Sequence, residues 1–359
     1  MLPEIVKTLT GMNVQVFVEN EAGTSAFASN SDYEAAGAVI RTKEEVLESA
    51  TLVIRINPPE KAEIGSMKEG QVFLAVFNPM INTDLVKEFC RKNITSFSLD
   101  ILPRTTRAQA MDILSSMATV AGYKAVLTAA NNLPKFFPMF MTAAGTVTPA
   151  KVLILGAGVA GLQAIATARK LGAVVEVFDV RTAVKEEVTG IGGKFIEVEG
   201  ATDDKAAGGY AVEQSEEFKK RQARLIHEHA VKSDVVICTA QIPGKKAPLL
   251  IRKETVEAMK PGSVIIDLAS STGGNCELTK DNETILHRQV KIIGNSAFPA
   301  DMPSDSSKMF GKNVLNFLKL MISSKGDFRL NWEDDLVKGT CVTHNGEVVN
   351  ERVKSIINQ

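Results

Sequence analysis

Cysteine is scarce in this chain, and nothing in its spacing pairs it. Cys90, Cys238, Cys276 and Cys341 lie far apart, without a C-x-x-C or a neighbouring His. That excludes a disulfide scaffold and a zinc ribbon as organising devices, and the four read as reduced thiols of an intracellular protein. An excess of charge is also lacking. Lys plus Arg number 41 and Asp plus Glu 42, for a net charge of −1, so nothing pulls the chain toward nucleic acid or acidic lipid. The opening MLPEIVKTLTGM has no basic leader with an apolar core, so no secretion signal is read. Long hydrophobic runs are missing as well. The uncharged stretches 136–150 and 152–168 are separated by Lys151 and broken by Pro138, Pro149 and glycines. Strand, turn and helix account for them better than a bilayer span of about 20 residues. The apolar run 309–321 carries Lys312 and Lys319 and follows Lys308, as an amphipathic helix does. The chain reads as soluble by itself.

At 359 residues there is room for about two domains with full cores. Short β-rich runs, Val14 to Glu19, Leu52 to Ile56, Val72 to Phe77 and Ile94 to Leu99, alternate with helical segments. A second series follows at Val152 to Leu155, Val174 to Asp179, Lys194 to Val198, Val235 to Thr239, Ser263 to Leu268 and Val290 to Gly294. Alternation of this kind predicts parallel β/α units. The fold class expected is α/β, with two Rossmann-like doubly wound parallel-sheet domains joined by a long helix. That helix is expected from Arg107 to about Asn131, where the proline-free run RAQAMDILSSMATVAGYKAVLTAAN places Met111, Leu114, Met117, Ala121 and Ala125 at helical spacing. The first domain is expected to comprise 1–118 plus 300–359, and the second 119–299. A helix-like segment, Pro3 to Leu9, precedes the first strand, whereas a doubly wound unit ordinarily opens on a strand. The first domain is therefore expected to have an open sheet edge.

The run VLILGAGVAGLQA carries Gly156, Gly158 and Gly161 directly after an apolar strand and at the start of a helix. In that context the first glycine permits a tight turn, the second lets the backbone approach a pyrophosphate, and the third lets helix and strand pack closely. Val159 and Ala160 open the helix whose N–H groups would face the phosphates. The next strand, AVVEVFDVR, ends at Asp179, followed by Val180 and Arg181. An acid at this distance suits a ribose 2′-hydroxyl and repels a 2′-phosphate, which favours NAD(H) over NADP(H). Arg181 complicates that reading, because a guanidinium can accommodate phosphate. Thr239, Ala240 and Gln241 end a strand at the sheet's carboxyl edge, where such folds place ligands.

A second candidate lies in PRTTRAQAMDILSS, with Arg104, Gln109, Asp112 and Ser115. One reading is a helix start with Thr105 or Thr106 as N-cap and the charges solvated. The other is a nicotinamide clamp, in which Gln109 bonds the carboxamide while Arg104 and Asp112 form a charge-assisted pair. The four histidines offer little: His227 and His229 lie in a charged helical stretch, and His287 and His344 sit near turns with no carboxylate close in sequence. A carbonyl-reducing dehydrogenase needs a proton donor. Hydride passing between two nicotinamide rings does not; it needs close approach and the exclusion of water.

The strings PRTTRAQAMDILSS, FPMFMTAAGTVTPAKVLILGAGVAGLQAIATARKLGAVVEVFDVR, AGGYA, TAQIPGK, GSVIIDLASSTGGNC and GTCVTHNGEVV together resemble the NAD(H)-binding component of the proton-translocating NAD(P) transhydrogenases, across almost the whole chain. The resemblance implies a homodimer that binds NAD(H). It implies exchange of hydride with NADP(H) held on a partner domain, in a complex whose membrane domain moves the proton. The chain itself would be a peripheral component on the cytoplasmic or organelle-matrix face. It places the nicotinamide contacts on Arg104, Gln109, Asp112 and Ser115, the glycine fingerprint on Gly156, Gly158 and Gly161, and the ribose acid on Asp179. It also places a mobile lid on Gly209, Tyr210 and Ala211. No metal is implied. The chain departs from the family in opening at Met1-Leu2-Pro3-Glu4, without the strand and R-V-A segment usual before P-E-x-V.

Two other readings compete. Alanine dehydrogenase is similar across both domains, but its chemistry needs a lysine and a histidine, and the corresponding stretches here, LVIRINPP and FLAVFNPMINT, contain neither. A nucleotide-binding regulator without chemistry is the other; retention of the Arg104, Gln109 and Asp112 set speaks against it.

Overall fold

The structure is a computed structural model, and it describes residues 1–198, 215–242 and 245–357. The chain divides into two units, Met1–Met117 with Pro303–Gln359, and Ala118–Met302.

In the first unit the strands Val72–Ala75 and Thr95–Ser98 are buried along their whole length, as strands with both faces covered are. They run parallel to Leu52–Ile54, while Cys341–His344 from the C-terminal segment adds antiparallel beside Thr95–Ser98 and carries Glu347–Val348. A separate parallel pair joins Phe17–Glu19 to Val39–Arg41. Val18, Ile40, Leu52, Ile54, Val72 and Leu74 share one apolar cluster. Leu52–Ile54 nevertheless ends its sheet, and Phe17–Glu19 hydrogen-bonds to Val39–Arg41 alone. Val39–Arg41 is a strand that the sequence pattern did not reveal.

The second unit is built on β1 (Lys151–Leu155), β2 (Val174–Phe178), β3 (Lys194–Ile196), β4 (Val235–Cys238), β5 (Val264–Asp267), β6 (Thr284–His287) and β7 (Val290–Gly294), in the spatial order β3-β2-β1-β4-β5-β7-β6. Side chains alternate strictly between two cores. Val152, Ile154, Val235, Ile237, Val264 and Ile266 face one; Leu153, Leu155, Val236, Cys238 and Ile265 face the other. Each such aliphatic side chain contributes about 1.5–3 kcal/mol by leaving water, which fixes the register of the sheet. All pairings are parallel except β6 with β7. The sheet thus has seven strands where the sequence predicts six. The strand order reverses between β1 and β4, the switch point at which doubly wound sheets hold ligands.

The long helix α1 (Ile113–Asn132) is shorter at its start than expected, because Thr106–Met111 forms a separate 3-10 helix and the chain breaks at Asp112. By length and composition α1 could cross a bilayer, with a mean hydropathy of 1.3. Its Ala125, Val126 and Ala129 are instead fully buried in the second unit's core. A Cβ on Gly122 would collide with the carbonyl of Ala160 in α2 (Val159–Lys170). This is the packing of a core helix.

Candidate functional site

The second unit's site is assembled at the carboxyl ends of β1, β2 and β4. Gly156 leaves β1 at φ +106°, which only glycine adopts without strain. A Cβ there would meet the Thr239 Oγ1 at 2.5 Å. A Cβ on Gly161 would collide with the Gly156 carbonyl oxygen, so the helix can approach the turn this closely only without a side chain. Gly158 differs: a Cβ built on it meets nothing within 4 Å. It is the N-cap of α2 and supplies no side-chain cap, so the first N–H groups of that helix stand open to an anion. Val159 and Ala160 form the first turn beside it.

Asp179, just past β2, ties itself to the glycine turn by accepting the Ala157 N–H at 2.7 Å. Its carboxylate also accepts from Arg181: the backbone N–H at 2.8 Å, Nε at 2.9 Å and Nη2 at 2.7 Å. Asp179 and Arg181 therefore form an intimate pair, with Val180 between them packed on the core. From β4, the Thr239 hydroxyl donates to the carbonyl of Gly156 at 3.0 Å and locks the two strand ends together. Gln241 Nε2 donates to the Leu268 carbonyl at 2.9 Å.

Ala240 is held by a residue that the sequence reading did not single out. The Asn275 side chain accepts from the Ala240 N–H at 3.1 Å and donates to its carbonyl at 2.9 Å, and it also donates to the Pro248 carbonyl at 2.8 Å. Asn275 is itself positioned by Asp267, at the end of β5. That carboxylate is fully buried and accepts from the N–H groups of Ala269, Asn275 and Cys276 and from the Thr279 hydroxyl. Burial raises its pKa above the ordinary carboxylate value, while these donors act in the opposite direction. The signal lay in VIIDLASSTGGNC, an acid closing a strand before a glycine pair.

In the first unit, Asp112 accepts from the Ser115 N–H at 3.0 Å and from its hydroxyl at 2.6 Å. The acid thus caps α1, and Thr105 and Thr106 do not. Arg104 and Gln109 are exposed on the segment before the cap. Arg107 is committed elsewhere, paired with Asp334 at 2.7 Å and with Asp335.

A family model described as the N-terminal domain of alanine dehydrogenase/PNT matches residues 1–121, and one described as its C-terminal domain matches residues 125–351. The chain belongs to the alanine dehydrogenase/PNT family. Within the family it is similar to an NAD(P) transhydrogenase subunit alpha of Rhodospirillum rubrum, with 46% identity over 356 residues, 97% of this chain and 93% of that protein. A solved transhydrogenase from Sinorhizobium meliloti superposes with a TM-score of 0.88 at 41% identity, over 97% of this chain and 94% of that one. Alanine dehydrogenase of Mycolicibacterium smegmatis is 27% identical over 360 residues, 98% of this chain and 91% of that protein. The resemblance read from the motifs is borne out: this is an oxidoreductase of the transhydrogenase alpha-subunit kind, in an NAD(H)-binding family.

The lid that the transhydrogenase resemblance assigns to Gly209, Tyr210 and Ala211 lies outside the described residues. The histidines are less solvated than their sequence surroundings suggest. His229 meets Glu176 at 2.6 Å, His227 the Thr255 hydroxyl at 2.9 Å and His287 Glu257 at 3.0 Å. His344 contacts the Thr95 hydroxyl and stacks on Trp332.

Proposed function

We propose that this chain binds NAD(H) on its second unit and passes hydride between NADH and NADP+ carried by a partner domain, as the homodimeric, peripheral component of a proton-translocating transhydrogenase on the cytoplasmic or matrix face of a membrane. The observation that supports it most is the switch-point cradle. An uncapped helix N-terminus lies beside the open ground at Gly158, and Asp179 is bonded to the same turn. A pyrophosphate fits the first and a ribose the second.

NAD(H), when bound, supplies the transferable hydride. The chain's own residues bind and orient. The amides of Val159, Ala160 and Gly161 meet the pyrophosphate, Asp179 with Val180 and Arg181 lines the adenosine ribose, and Thr239, Ala240 and Gln241 form a fixed wall. Gln109 and Arg104 orient the carboxamide, with Asp112 and Ser115 holding the start of α1 behind them. Gly209, Tyr210 and Ala211 close over the nucleotide. No proton donor is required of the chain, in keeping with four histidines that are each engaged with a neighbour in the fold.

Stopped-flow mixing with an NADP(H)-binding transhydrogenase domain tests the proposal. Hydride transfer from NADH is expected, and Gln109→Ala or Arg104→Ala should slow it by at least about tenfold in the saturated complex while NADH affinity falls less, because misalignment costs near-attack geometry. Unchanged transfer at saturation would reduce these residues to binding groups. Failure of the unaltered chain to transfer hydride would remove the function.

A further inference from the structure

Asp179 is the group to which the proposed function gives the adenosine ribose, and its hydrogen-bonding capacity is already used. Oδ2 accepts from the Ala157 N–H and from Arg181 Nη2, and Oδ1 accepts from the Arg181 N–H and from Arg181 Nε, all between 2.7 and 2.9 Å. An ionised carboxylate offers about four lone-pair sites, so these four donors leave no place for a sugar hydroxyl. Two of the donors are backbone groups built into turns. The other two belong to one guanidinium, which can leave by side-chain rotation alone. It also has a route out: the Arg181 side chain is 24% exposed, whereas Asp179 is 6% exposed.

We propose that Arg181 is a competitive latch on Asp179. Its guanidinium holds the acid in the uncomplexed chain, and the ribose hydroxyls of NAD(H) must displace it. The inference rests on the assignment of Asp179 to the ribose. Affinity is then reduced by the fraction of chains in which the latch is closed. The same pairing makes the pocket nearly neutral, so the carboxylate repels a 2′-phosphate less than an unpaired acid would. Arg181 therefore lowers affinity for NADH and softens discrimination against NADPH at once. An arginine that simply contacted the coenzyme would do the reverse to NADH.

The test is titration of NADH and NADPH into the full chain and into Arg181→Gln, Arg181→Lys and Asp179→Asn, with folding followed by circular dichroism. Arg181→Gln is expected to bind NADH about threefold to thirtyfold more tightly, without tighter binding of NADPH. Arg181→Lys should fall between, since an ammonium keeps the charge but not the two-pronged grip; it also serves if the glutamine variant, with its unpaired buried acid, does not fold. Weaker or equal NADH binding by folded arginine variants would overturn the latch. Asp179→Asn is expected to lose NADH affinity. If it binds as the parent does, the ribose assignment fails and the latch with it.

Discussion

Asn275 contacts the backbone of Ala240 on both its hydrogen-bonding groups, although 35 residues separate them in sequence. A backbone N–H and C=O satisfied by one amide cannot turn to solvent without losing both bonds. The wall beside the glycine turn is therefore set by a side chain that need not touch the coenzyme. Replacing Asn275 by Ala leaves these groups and the Pro248 carbonyl without their partner, a loss of about 1–3 kcal/mol for each buried group left unsatisfied. The variant is expected to melt at lower temperature and, where still folded, to bind NADH at least about tenfold more weakly. Thr279→Val removes one donor to Asp267 without touching Ala240, so calorimetric titration of both variants separates positioning from general loosening. Equal NADH affinities for the two would show that the wall does not depend on Asn275.

At the scale of elements, Glu63 joins three pieces of the first unit. It pairs with Lys43 at the start of helix Lys43–Ser49 and with Arg55 just past strand Leu52–Ile54, and it accepts the Glu60 N–H that caps its own helix, Lys61–Ser66. Burial pushes its pKa up, but the bonds from Lys43, Glu60 and Arg55 outweigh that and bring it from 4.5 down to about 2. A carboxylate whose folded pKa is depressed contributes stability in full above its unfolded value and loses it as the pH falls toward the folded one. The contribution, of order 3 kcal/mol, should therefore disappear between pH 4.5 and about 2. Urea unfolding of the parent and of Glu63→Gln across this range should give curves that converge on acidification; parallel curves would refute the assignment.

Elements also show what a sequence exposes. The turn Gly156–Gly161 and Asp179 were legible because their geometry is local: one strand, one turn, one helix, and the end of the next strand. Strand β6 was not, since its hairpin to β7 turns on Arg288 and Gln289, both at positive φ, where Asn-Gly would have announced it. The break at Asp112 was hidden by a helical spacing that continued through it. Asp267 and Asn275 act on Ala240 only because parallel pairing sets Asp267 beside Cys238, a relation that no spacing along the chain encodes.

For the molecule as a whole, the family contains two chemistries on one architecture, and the first unit decides between them. Identity of 46% with a transhydrogenase alpha subunit against 27% with an alanine dehydrogenase sets the direction. The residues at the carboxyl ends of the first unit's strands set the reason. Arg55, which follows strand Leu52–Ile54, is spent on Glu63. Asn78, beyond strand Val72–Ala75, occupies a left-handed backbone position at φ +45° and offers no base. Asp100 is turned to the Ser98 hydroxyl and the amides of Phe77 and Asn78, and burial raises its pKa. Reductive amination needs a cationic grip on a carboxylate and a group that hands a proton to the imine, and the groups at these three strand ends are already committed to the fold. With NADH, pyruvate and ammonia together, no turnover above the uncatalysed background is therefore expected. The same preparation should oxidise NADH once an NADP+-loaded transhydrogenase domain is added. Measuring both in one cuvette guards against an inactive sample, and alanine formation in the first step would reverse the assignment of this chain within its family.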